Sequence, residues 1–130
     1  MAYKASQPLK LTLTAGADLS AKQFYFVKIS GSGTCDVCSG ATDKPVGVLQ
    51  NKPTSGQAAE IVVLGVTKVS SDAALTAGNL IGTSADGQAD AKTPGTDTTE
   101  YIVGQMVTTT GAAGVIGTAI VNCASPVRGA

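Results

Sequence analysis

Glycine, proline, threonine or valine interrupts every window of this chain that is long enough for an amphipathic helix, so 3.6-residue periodicity never develops. Strand-like runs recur instead: "QFYFVKI" (23–29), "TCDVC" (34–38), "PVGVLQ" (45–50), "AEIVVLGVTKV" (59–69), "NLIGT" (79–83), "GQADA" (87–91), "YIVGQMV" (101–107) and "GVIGTAIVNC" (114–123). The turn clusters "SGSG", "SADG", "TPGTD" and "GAAG" separate them. Short strands at roughly 8–12-residue spacing predict an all-β barrel or sandwich. At 130 residues the chain makes one compact domain, able to bury about two thirds of its unfolded surface. With five aromatic side chains and no tryptophan, its abundant small residues suit tight turns and flat contact surfaces better than a large ligand pocket.

An internal echo runs through these strands. "ADLSAKQFYF" (17–26) and "AALTAGNLIG" (73–82) share the frame Ala-x-Leu-Ser/Thr-Ala followed by a strand. Each continues through a glycine-marked turn, a short strand and a Thr/Asp-rich loop. Each loop leads into a Val-Gly strand, at Val46-Gly47 and at Val103-Gly104, and a final Val/Ile strand comes next at 60–64 or about 115–121. Offsets of about 54 to 57 predict two similar β-units, with the Leu-Ser/Thr-Ala segments as matching leading turns.

Residues 1–14 stand apart as a predicted extended N-terminal arm, leaving 15–130 as the β-rich domain. After Pro8, Leu9, Leu11 and Leu13 alternate along one face of a would-be strand, with no turn folding it onto the next segment. Lys4, Lys10, Lys22 and Lys28 face only Asp18 in the first 28 residues, so this end is basic although the net charge is zero. An apolar, basic arm of this kind is suited to adding a strand to a partner's sheet edge.

Cys35 and Cys38 stand in C-x-x-C spacing within "GTCDVCSG". Structural zinc needs four ligands. Three cysteines and no histidine supply neither an all-cysteine nor a mixed cysteine–histidine site. A thioredoxin-type pair needs a helix N-terminus to lower its thiol pKa, whereas glycine and serine flank a short strand here. Residues three apart in a strand point to opposite faces; a tight turn at Asp36 leaves a disulfide open. The expected reading is small strand residues and no metal site.

The absence of histidine removes the usual general base. Neither a G-x-S-x-G nucleophile motif nor a G-x-x-x-x-G-K-[ST] phosphate loop occurs. Asp86, Asp90, Asp97 and Glu100 fit no EF-hand spacing and are expected in turns and on exposed strand faces. The expectation is a non-enzyme with no cofactor, metal or small-molecule substrate. Zero net charge gives no general drive toward nucleic acid. No apolar run reaches the ~18–20 residues of a membrane helix, and "MAYKASQPLK" has no secretory h-region.

"PVGVLQNKPTSGQAAEIVVLGVTKV", "ALTAGNLIGTSADGQA", "TPGTDTTEYIVGQMV" and the C-terminal "VNCASPVRGA" together resemble the capsid decoration (cement) proteins of tailed bacteriophages, the family related to the lambda-type head decoration protein. The resemblance runs from about residue 15 to the end. It rests on Gly47-Val48-Leu49-Gln50, Gly65-Val66-Thr67-Lys68-Val69, and the Ala77-Gly78 and Val103-Gly104 turns. It implies a compact β-barrel-like domain, commonly a homotrimer, on the outer capsid surface of the virion. There it clamps the major capsid protein lattice, with an N-terminal arm reaching over the shell. No arm motif matches residue by residue. The expected capsid-binding residues, Tyr3, Lys4, Leu9, Lys10, Leu11 and Leu13, therefore come from physics alone. The competing reading is a receptor- or carbohydrate-binding β-module, which the scarcity of aromatics disfavours.

Overall fold

The structure, a computed structural model, describes residues 8–130. Among the described residues every regular element is a strand. In order these are β1 (Leu9–Ala15), β2 (Phe26–Gly31), β3 (Thr34–Val37), β4 (Gly47–Leu49), β5 (Ala58–Ser70), β6 (Leu80–Thr83), β7 (Ala89–Ala91), β8 (Tyr101–Ile102), β9 (Gly104–Met106), β10 (Ile116–Asn122) and β11 (Val127–Arg128). All eight strand-like runs of the sequence contain a strand. The run at 101–107 is split at Val103 into β8, which pairs with β11, and β9, which joins the main sheet.

Pairing divides that sheet into two units of the same design. In the first, β1 lies parallel to β3, β3 antiparallel to β2, β2 to β4 and β4 to β5; β5 then pairs back with β1, closing a five-stranded barrel. The second unit repeats every step. The pair Val27–Gly47 recurs as Ile81–Gly104, Ile29–Cys35 as Thr83–Ala89, and Leu49–Ile61 as Met106–Ala119. Leu11–Ile61 recurs as Thr67–Ala119. Even the parallel pair Ala15–Cys35 has its counterpart in the bridge Ser71–Ala89. β5 therefore serves twice. Its first half closes the first barrel, and its second half opens the other one, in the place β1 holds in the first.

The leading turns match in the same detail. Leu19 N–H donates to the Pro53 carbonyl and Leu75 N–H to the Thr110 carbonyl, both leucines being buried. Phe24 N–H donates to the Leu49 carbonyl and Gly78 N–H to that of Met106. Phe24 is the one non-glycine residue described with a positive φ, 68°, and it stands where the second unit has Gly78 at 94°. A phenylalanine tolerates that strained backbone because its ring packs on the core.

Residues 9–14, expected to belong to an arm without a core, are built into the first barrel. Lys10 to Thr14 run antiparallel to Val62–Ala58, and Leu11 and Leu13 pack against the core. The reason is that the first half of β5 has two edges to pair: β4 takes one at Ile61 and Val62, and β1 takes the other. The expected arm thus shortens to its first residues; positions 1–7 lie outside the described residues.

The Val-Gly pairs have a steric cause. A Cβ built at Gly47 would lie 2.5 Å from the Val62 carbonyl oxygen, and one at Gly104 would lie 2.6 Å from that of Ile120. The fourth strand of each unit crosses the fifth so closely that only hydrogen fits. Gly47→Ala is therefore expected to lower the unfolding free energy by about 1–3 kcal/mol, read from urea midpoints. Gly111→Ala, where nothing lies within 4 Å, serves as the near-neutral reference.

Candidate docking surface

Of the residues expected to bind a capsid, Tyr3 and Lys4 lie outside the described residues. Leu9, Lys10, Leu11 and Leu13 share β1 but not one face. Strand alternation turns Leu11 and Leu13 toward the core and leaves Lys10, Thr12 and Thr14 exposed. A register shift between Leu9 and Lys10 breaks the alternation, so Leu9 stays 54% exposed opposite Leu64. The free side of β1 is thus a polar strip that begins at one exposed leucine.

A second surface was not anticipated. Leu80, Gln105, Ile120 and Val66 lie side by side across β6, β9, β10 and β5. Asn122 and Leu64 form the next row, with Leu9 beyond. Leu64, Leu80 and Ile120 are 42%, 37% and 47% exposed. They line an open groove of about 420 Å³ together with Ile102, Gln105 and Asn122. The signal in the sequence was β10 itself, which carries Ile116 and Ile120 on its outward positions as well as Ala119 and Val121 on its inward ones.

Candidate chemistry resolves into packing. Cys35, Cys38 and Cys123 are all free and buried. Burial pushes the Cys38 and Cys123 thiols up to about 12 and raises Cys35 as well. They stay protonated at neutral pH, which makes them poor nucleophiles. Cys35 takes the place of Ala89 and pairs with Ala15 and Ile29; Cys38 takes the place of Lys92. Backbone bonds show the second match: Cys38 N–H donates to the Phe26 carbonyl and Lys92 N–H to that of Leu80.

Asp43, Asp90, Asp97 and Glu100 have structural partners. The Lys92 side chain is almost fully buried, and Glu100 hydrogen-bonds its ammonium while Asp90 lies 3.7 Å away. Asp97 accepts the Thr93 N–H at 2.6 Å. Asp43 accepts from Lys28 Nζ at 2.9 Å and from the Ser39 and Gly40 N–H groups. A second opening of about 360 Å³, lined by Lys22, Tyr25, Cys38, Asp86 and Gln88 among others, runs along the seam between the two barrels. The Lys22 ammonium sits 5.0 Å from the centre of the Tyr25 ring.

Two substitutions test these assignments. Glu100→Gln takes the hydrogen-bonded countercharge from a buried ammonium and is expected to cost about 3–5 kcal/mol, measured by denaturant unfolding. At Asp43, burial raises the carboxyl pKa, but Lys28 and the two N–H groups outweigh it and hold the pKa below the ordinary 3.8. A depressed carboxyl contributes stability above the unfolded value and loses it as pH falls through the folded one. Asp43→Asn is therefore expected to flatten the fall in urea midpoint as pH drops below 3.8.

The sequence matches no protein-family model and no curated protein. Its fold matches solved structures, among them the N-terminal base of the head fibre gp8.5 of bacteriophage phi29. That structure superposes with a TM-score of 0.64 at 15% sequence identity, over 90% of this chain and 96% of that one. The chain has the same fold as that fibre base.

Proposed function

We propose that this chain is a structural virion protein that binds the outer surface of a phage head and stabilises the major capsid protein lattice as a homotrimer. The carrying observation is the fold likeness to a head-fibre base over nearly the whole of both chains. The family resemblance of the "PVGVLQ", "ALTAGNLIG" and "TEYIVGQMV" blocks points the same way. In this reading the protein acts by contact and not by catalysis. Its thiols are buried and protonated, and Asp43, Asp90, Asp97 and Glu100 are engaged with lysines or backbone N–H groups.

The contact with the shell falls to the N-terminal residues Tyr3 and Lys4, and to the exposed start of β1 at Leu9 and Lys10. Leu11 and Leu13, being packed in the barrel, hold β1 in place. Each contact is small, so stabilisation arises from many copies repeated over the lattice. Carbohydrate binding has less support, because the Tyr25 ring in the seam already carries the Lys22 ammonium.

Heads lacking the protein are to be re-decorated with the full chain or with a chain lacking residues 2–7. The shortened protein is expected to melt within a few degrees of the full one, yet to bind heads at least tenfold more weakly and to leave them less resistant to heat. Removing residues 2–13 is expected to lower the melting temperature itself, because β1 is lost. Equal decoration and protection by the protein lacking residues 2–7 would exclude the N-terminal contact.

A further inference from the structure

The two barrels differ most in what covers the same face. In the first, Phe26, Val48 and Val62 stand side by side on the outer side of β2, β4 and β5, and all are buried. The second barrel lies over them. Gly87, at the tip of the β6–β7 hairpin, accepts the Phe26 N–H at 2.7 Å. The tip fits so closely that a Cβ on Gly87 would lie 3.0 Å from the Cys38 carbonyl oxygen. Thr83 and Ser84 of that hairpin are buried, and Gln50 donates to Thr67 across the junction.

In the second barrel the matching residues are Leu80, Gln105 and Ile120, the exposed wall of the 420 Å³ groove. The surface that covers in one place is likewise bare in the other. The β2–β3 hairpin has the same length as β6–β7. Its Gly33 matches Gly87 with φ 73° against 85°, and nothing lies within 4 Å of a Cβ there. Ile29, in the place of buried Thr83, is 60% exposed. The chain thus carries both halves of its own internal junction a second time, unpaired, at opposite ends of the repeat. The residues that match the internal junction are uncharged, Ile29, Ser30 and Gly33 on one half and Leu80, Gln105 and Ile120 on the other; the Lys28–Asp36 pair of the hairpin stands where the second unit has Gly82 and Asp90.

We infer that the Leu80–Gln105–Ile120 groove is the docking site for the β2–β3 hairpin of a second copy of this chain, which seats Ile29 there head to tail as the second barrel seats on the first. Such a contact is heterologous: each copy offers one half and receives the other. Successive copies then close into a ring or extend as a filament, according to the rotation between them. The contact forms between copies of the chain in solution and needs no head.

The test uses Ile29→Asp and Ile120→Asp, both at exposed positions, with circular dichroism and melting to establish that each folds as wild type does. Sedimentation of the wild-type chain is expected to show concentration-dependent association, weakened at least tenfold in either variant alone. An equimolar mixture is expected to recover a complex that stops at one copy of each, because Ile29→Asp retains the groove and Ile120→Asp retains the hairpin. Should either variant unfold, Ser30→Lys replaces the first and Leu80→Lys the second. A wild-type chain that stays monomeric at its highest soluble concentration overturns the inference, as does association that survives the substitutions. A mixture in which the variants remain apart would also overturn it, assigning the contact to a two-fold interface.

Discussion

The structure hangs on a single strand held in two barrels at once. β5 is the longest strand among those described, 13 residues. Its pairing changes partner at Leu64, which faces Leu9 of β1 on one side of the handover and Asn122 of β10 on the other. Gly65 comes next with φ +137°, where a Cβ would lie 2.9 Å from that of Pro8. A side chain there would be strained by its backbone and by its neighbour together. Because the strand continues through this point, the second barrel has little freedom to swing away from the first, and the junction becomes a packed interface.

That interface explains where the polar groups lie. Gln50 reaches Thr67, the Ser70 N–H meets the Phe24 carbonyl, and Gln88 reaches the Ser70 hydroxyl. Among the described residues no buried side-chain nitrogen or oxygen lacks a partner, so the seam is closed at little desolvation cost. The only lysine among the buried residues described, Lys92, sits where the first unit has Cys38, and the loop after it supplies Glu100 as its counterion. One architectural position thus holds a small apolar group in one repeat and an ion pair in the other. Its occupant is set by the neighbouring loop, and the two repeats share no chemistry there.

A protein built this way offers surface and rigidity. Tandem barrels that share a strand present rows of side chains at fixed spacing. Leu64, Leu80 and Ile120 gather beside the start of β1, and the larger of the two openings described lies there, while Ile29 is exposed on the first barrel. Burial of each such side chain by a partner is worth about 1.5–3 kcal/mol before ordering costs. That scale suits contacts multiplied over an assembly.

Much of this was legible in the sequence because strands and turns are encoded locally. Alternation, glycine-bearing turns and the Val-Gly pairs placed the strands, and the echo of "ADLSA" with "AALTA" already contained the repeat, down to Leu19 and Leu75 as its buried anchors. Extended backward, the same echo aligns "LTLTAGADLSA" with "TKVSSDAALTA" and would have revealed Leu11 and Leu13 as barrel residues. No local pattern carries which side of a strand another unit will cover. Val62 and Ile120 occupy the same position in the two repeats and are equally apolar, yet one is buried and the other 47% exposed. Among the described residues the second barrel lies over the first and nothing lies over the matching face of the second, so only the tertiary arrangement decided that difference.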